Sequence, residues 1–142
     1  MQGPEIVIVS ATEFLKLCAS DNPLDTQRSI SDTASQDTWD ELIKNHRYRW
    51  IDIAQNRTIP AEIVRFLATC DDSLVRAVIA ENRNIPLDLF SELSKDVDEI
   101  VRRKIASNGK TPDEVLFALT SDLVESVASV AAYNWKRRSK AR

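Results

Sequence analysis

The sequence predicts an all-α fold in which pairs of helices stack as a solenoid with a 26-residue period. Three observations carry this expectation. Ala54, Ala80, Ala106 and Ala132 recur every 26 residues, as do Asn56, Asn82, Asn108 and Asn134. Pro60, Pro86 and Pro112 keep the same register, and so do Leu67, Leu93 and Leu119. Within one period the apolar residues fall at helical spacing, as in Leu74, Val75, Val78 and Ile79. A repeat of this length marks a unit that buries its apolar face only against its neighbours.

The first 45 residues do not follow the period and are expected to form an irregular helical cap. Ile6 to Val9 fits either a short extended piece or a leading turn of helix. Ser10-Ala11-Thr12-Glu13 is a capping box, which opens a helix running to about Ala19 with Phe14, Leu15 and Leu17 apolar. Asn22-Pro23-Leu24-Asp25 combines a cap, a helix-starting proline and an acid, although the helix it opens is polar and weak. The Ser/Thr/Asp-rich stretch from Asp32 to Asp37 reads as a loop. Asp37-Thr38-Trp39 then opens a helix whose Trp39, Leu42 and Ile43 match Val64, Leu67 and Ala68 at a spacing of 25. That is a degenerate repeat, as a terminal cap requires.

The regular array covers residues 46–135, inside a single domain spanning 1–142. Asp72 caps a first helix that Asn82 ends, since asparagine tolerates the left-handed conformation common at helix C-termini. Pro86 starts the second helix, whose Leu89, Phe90 and Leu93 share a face; Ile63, Val64, Leu67 and Val115, Leu116, Leu119 are the equivalents. Thr111-Pro112-Asp113-Glu114 fits a capping box. The last helix, Leu123 to Tyr133, has a first-helix pattern and no second helix after it. Residues 136–142 form a basic tail, expected to be frayed and solvated.

The run Val-Arg-Arg-x-Ile-Ala-x-Asn-x-x-Thr-Pro-x-Glu-Val-Leu, from Val101 to Leu116, resembles the leucine-rich repeat variant motif, a HEAT-like helical repeat. The resemblance covers about residues 46 to 134. It implies a right-handed solenoid in which the second helices line the concave face. Members of that family can carry a cysteine-rich iron–sulfur segment before the repeats. This sequence has nothing of the kind, so that chemistry is not carried over.

Composition points away from catalysis. One histidine, His46, and two glycines, Gly3 and Gly109, supply neither a phosphate-cradling loop nor a histidine-centred nucleophile site. Cys18 and Cys70 are far apart and outside any Cys-x-x-Cys pair, so no disulfide framework, metal site or cofactor is expected and both read as buried small side chains. His46 reads as a surface or packing residue. No cationic leader and no membrane-length apolar run is present, which makes a cytoplasmic location the expectation.

Charge is unevenly divided. Five of the 19 basic residues, Lys136, Arg137, Arg138, Lys140 and Arg142, fall in the last seven positions, and all 22 acids precede them. The second helices are net acidic and the first helices slightly basic, which suggests an acidic ridge facing a basic protein partner. Glu62, Asp88 and Glu114 share one register position near a helix start, where an acid simply complements the helix dipole; partner contact is the second reading. Arg76 and Arg102 each follow an acid, Asp72 or Asp98, by four residues, the spacing of an ordinary intrahelical pair. Phe66 shares a column with Glu92 and Ala118, and Phe117 with Arg65 and Ser91. An aromatic in a tolerant column is either an interface anchor or a side chain folded onto the next repeat.

The expected function is therefore a non-catalytic protein-binding module. Glu62, Phe66, Asp88, Glu92, Asp113, Glu114 and Phe117 are its candidate contact residues. Size, acidity and fold resemble those of immunity proteins that neutralise basic toxins such as nucleases. The rival readings are a nucleic-acid binder using Lys136 to Arg142, and an adaptor in a larger assembly. An acidic body argues against wrapping a phosphate backbone, and no membrane partner is expected.

Overall fold

The computed structural model describes residues 7–142, which are mostly helical with one two-stranded sheet. Of the N-terminal stretch whose conformation was open, Ile6 lies outside the described residues. Val7–Ile8 is extended. The chain divides into two compact units, Met1–Val64 and Arg65–Arg142.

In the first unit, β1 (Val7–Ile8) pairs in parallel with β2 (Thr33–Ala34). Around them lie α1 (Ala11–Ala19), α2 (Pro23–Ser31), α3 (Gln36–Asn45), a 3-10 turn at Arg47–Arg49, α4 (Trp50–Gln55) and the start of α5 (Ala61–Ala68). Ser10 caps α1 by accepting from the Glu13 N–H at 3.1 Å, and the Glu13 carboxylate accepts from Val9 N–H at 2.9 Å. Asn22 caps α2 through the Leu24 N–H. The core packs Phe14 edge-on to Trp39, ring centroids 5.5 Å apart, with Ile8, Leu42 and Ile53 buried alongside.

The polar helix α2 does form, and polar contacts hold it. Arg28 bridges Glu13 and Asp32 at 2.8 and 2.7 Å. The buried Asn56 amide donates to the carbonyls of Ser29 and Asp32 at 2.9 and 3.0 Å. The segment expected to be a loop from Asp32 to Asp37 is shorter than that. It contains β2, and Ser35 already caps α3 by accepting from Thr38 N–H at 3.2 Å.

The second unit takes the rest of α5, then α6 (Ser73–Glu81), α7 (Leu87–Leu93), α8 (Glu99–Ser107), α9 (Asp113–Leu119) and α10 (Glu125–Lys140). Helix α8 packs between α6 and α10, and α9 packs on α10. Val75, Ile79, Leu89, Phe90, Leu93, Val101, Ile105, Leu116, Leu119 and Val127 are buried. Leu74, grouped with that apolar face from its spacing, is instead 58% exposed, because it lies in the first turn of α6 and points off the packed side.

Several local expectations are corrected. Asn56, Asn82 and Asn108 do end helices, but with extended backbone at φ between −70 and −75°. No described residue has a positive φ. Their side chains do the work instead: the Asn108 amide donates to the carbonyls of Ala80 and Asn82 at 2.8 and 3.0 Å, and its oxygen accepts from Lys110 N–H at 3.0 Å. Asn134 makes the corresponding bond to the Ala106 carbonyl at 2.9 Å while remaining inside α10. It is not a stop signal.

The capping box at Thr111 does not form. Thr111 is buried and donates its hydroxyl to the Ile105 carbonyl, so Pro112 precedes α9 with no side-chain cap. Arg76 and Arg102 do not pair with the acids four residues before them. Asp72 and Asp98 are spent as caps on the N–H groups of Leu74 and Ile100, and the guanidiniums reach Asp96 and Asp122 instead. The last helix runs well past Tyr133, so residues 136–140 are helical and not frayed.

Candidate protein-binding face

Three short helices carry the candidate residues. In α5, α7 and α9 the apolar positions 67, 93 and 119 are buried, as are 64, 90 and 116. Buried positions three apart leave the remaining positions to solvent on the opposite side of each helix. The column of Phe66, Glu92 and Ala118 is exposed throughout; in the adjoining column Arg65 and Phe117 are exposed and Ser91 is half-buried. Phe66 is 45% exposed and Phe117 58%. The Phe117 ring also meets Trp135 of α10, centroids 5.1 Å apart, so this aromatic packs against a neighbouring helix while more than half of it stays exposed.

The acids divide into two groups. Asp88, in the first turn of α7, accepts a forked pair of bonds from Arg65 at 2.7 and 3.0 Å, and that bonding holds its carboxyl below the ordinary range. Asp113, in the first turn of α9, is engaged by Arg138 at 3.1 Å and by Arg142. Asp96 and Asp122, in the loops that follow α7 and α9, are bound by Arg76 and Arg102. These pairings offset much of the negative charge carried by α7, α9 and the loops after them. Glu92 and Glu114 are exposed and take part in no ion pair among the described residues; Glu92 also lends negative charge to the surroundings of Arg65. Glu62, exposed in the first turn of α5, belongs to the first unit and is likewise without an ion pair among the described residues.

Trp135, Arg138 and Arg142 escaped sequence reasoning as contributors to this face. Arg138 donates to the carbonyls of Thr111, Asn108 and Gly109 at 2.5, 3.3 and 3.1 Å as well as to Asp113. The available signal was the spacing of Ala131, Trp135, Arg138 and Arg142, which keeps to one side of a helix prolonged beyond Tyr133. A cavity of about 290 Å³ beside these contacts is lined by Asn108, Gly109, Asn134, Arg137 and Arg138. Its Arg138 guanidinium is already committed to four oxygens.

Among the described residues no group of three or more His, Cys, Asp or Glu side chains is placed to hold a metal ion. His46 lies against Tyr48, its ring nitrogen 3.3 Å from the phenol oxygen. Both cysteines are free thiols and half-buried; burial pushes Cys18 up to about 12. No described helix is long and apolar enough to cross a membrane. No family model, curated protein or solved structure matches the chain.

Proposed function

We propose that the chain is a non-catalytic protein-binding module built as a right-handed α-solenoid of 26-residue helix pairs. The period is supported by helix starts at 73, 99 and 125 and at 87 and 113, and by the Asn108 and Asn134 amides reaching carbonyls 28 residues earlier. Its resemblance to the leucine-rich repeat variant and HEAT-like repeats belongs to the same reading.

The solvent-facing columns of α5, α7 and α9 are the binding face. The carrying observation is that Phe66, in the column of Glu92, and Phe117, in the adjoining column, stand exposed on helices whose other large apolar residues are mostly buried. Desolvating two aromatics supplies affinity, while Glu92 and Glu114 steer a basic partner. Neutralising a basic protein such as a toxin nuclease, in the manner of an immunity protein, is the role that fits best.

A pull-down from the host, followed by titration of the recovered protein with purified chain, tests this. Binding should weaken with added salt and in Phe66→Ala and in the Glu92→Gln/Glu114→Gln double variant. Retention of bare duplex or RNA, with no protein bound through these residues, would transfer the function to the basic C-terminal residues.

A further inference from the structure

A different solvent-facing strip lies at the N-terminal ends of α6, α8 and α10. Val97 and Leu123 are 93% and 102% exposed, and each immediately precedes the N-cap of its helix. Leu74 in α6 and Ile100 in α8 stand just inside their helices, 58% and 37% exposed. The three helices run parallel and in register. Arg76 to Asp96 and Arg102 to Asp122 join their N-terminal ends, and Asn108 to Ala80 and Asn134 to Ala106 join their C-terminal ends. Single exposed aliphatic residues are ordinary, but here they recur as two pairs 26 residues apart, Leu74 with Ile100 and Val97 with Leu123, at the same ends of three neighbouring helices.

The surroundings of the strip are acidic. Glu99 and Glu125 occupy corresponding first-turn positions, both exposed and without an ion pair among the described residues. Arg76 and Arg102, two residues after Leu74 and Ile100, are half-buried and spent on Asp96 and Asp122, while Lys95 is an exposed cation nearby in the chain.

We propose that this strip docks a basic amphipathic helix of a partner protein, lying across the N-terminal ends of α8 and α10. Packed neighbouring helices stand about 8–10 Å apart. A ligand helix rises about 1.5 Å per residue, so aliphatic side chains seven residues apart are about 10.5 Å apart and meet Val97 and Leu123 together. Lysine or arginine beside them then faces Glu99 and Glu125. The carboxylates disfavour an anionic lipid surface. The inference stands apart from the face on α7 and α9, because none of its residues is shared.

The probe is a synthetic helical peptide of Leu, Lys and Ala with Leu at heptad spacing, followed by fluorescence anisotropy. Saturable binding is expected. It should weaken about tenfold in Val97→Ser/Leu123→Ser, and lose salt sensitivity in Glu99→Gln/Glu125→Gln. Phe66→Ala and Glu114→Gln should leave it unchanged, which separates this strip from the other face. All these positions are exposed, and circular dichroism checks that the variants fold. Absent binding, equal binding by the serine variant, or equal affinity for a peptide with its Leu positions shuffled overturns the proposal. It is also overturned if zwitterionic vesicles, or a second copy of the chain in sedimentation, engage Val97 and Leu123 in the peptide's place.

Discussion

Arg102 forks onto Asp122, its Nε at 2.8 Å and its Nη2 at 3.3 Å, and its Nη1 donates to the Asp96 carbonyl at 2.7 Å. Arg76 does the same 26 residues earlier, with Asp96 at 2.8 and 3.0 Å and the Cys70 carbonyl at 2.9 Å. Each arginine thus ties the loop leading into its own helix to the loop leading into the next. The Arg102 and Asp122 side chains are only 16% and 8% exposed, so their bonding is worth more than that of a surface pair. Arg102→Met, which keeps the aliphatic stem, should cost about 2 kcal/mol of stability. A double-mutant cycle with Asp122→Asn should show coupling of about 1 kcal/mol. The exposed Arg65 and Asp88 pair should show little coupling, and equal coupling in the two cycles would sink this account.

Acid should loosen the same contacts. The Arg102 bond holds Asp122 below its ordinary 3.8, the Ile100 N–H holds Asp98 below 3.8, and the Val9 N–H and Arg28 hold Glu13 below 4.5. These values are lowered in the fold, so the unfolded chain takes up protons first as pH falls. Their stabilisation is complete above the ordinary values and is lost as pH falls through the folded ones. Thermal melting should be level from pH 7 to about 5 and decline below about 4. A melting temperature that holds steady through acidification to pH 2 contradicts the assignment.

The Asn108 amide is a more isolated probe, being 5% exposed with three backbone partners. Asn108→Ala strands two carbonyls and one N–H, and should cost about 2–3 kcal/mol. Asn134→Ala removes one bond from a half-buried position and should cost about 1 kcal/mol. Chemical denaturation of both variants gives the ranking, and the reverse order would mean that the bonds to the Ala80 and Asn82 carbonyls are not what Asn108 contributes.

Much of this was legible in the residue columns. Leu67, Leu93 and Leu119 are buried as their register requires, and the asparagines mark three helix ends. Their mechanism was not legible, because a terminal asparagine looks alike whether its backbone turns left-handed or its amide crosses to another turn. Asn134 shows the limit: the same residue sits mid-helix, since Trp135 and Arg138 find partners that prolong α10. The arginine pairs were misread for a related reason. Nearness along the chain favoured Asp72 and Asp98, but those side chains were already needed by helix N–H groups. At the candidate face, the exposure of Phe66 and Phe117 followed from their tolerant columns, whereas capture of Asp113 by Arg138 depends on three-dimensional register alone.

Thiol chemistry gives an independent check on packing. Burial raises both cysteines, and the charge of Asp52 adds to the shift that takes Cys18 to about 12. Near pH 8 the Cys18 thiolate is then roughly a ten-thousandth of the population. A disulfide reagent should label Cys18 slowly in the native chain and rapidly once denatured. Prompt native labelling at Cys18 would place it in a far more open setting.

Phe117 is where stability and binding can be told apart. Its ring is more than half exposed yet rests against Trp135, so Phe117→Ala should cost about 1 kcal/mol of stability. Leu93→Ala, in the core at 3% exposure, should cost about 2–5 kcal/mol. If Phe117 also anchors a partner, its truncation should weaken binding by a further ~2 kcal/mol, beyond anything the small loss of stability explains. Trp135→Leu supplies the control, because it removes the ring contact while leaving Phe117 in place. It should reproduce the stability loss and retain most of the affinity. Matching losses of affinity in Trp135→Leu and Phe117→Ala would mean that the aromatic pair acts only by holding α9 against α10.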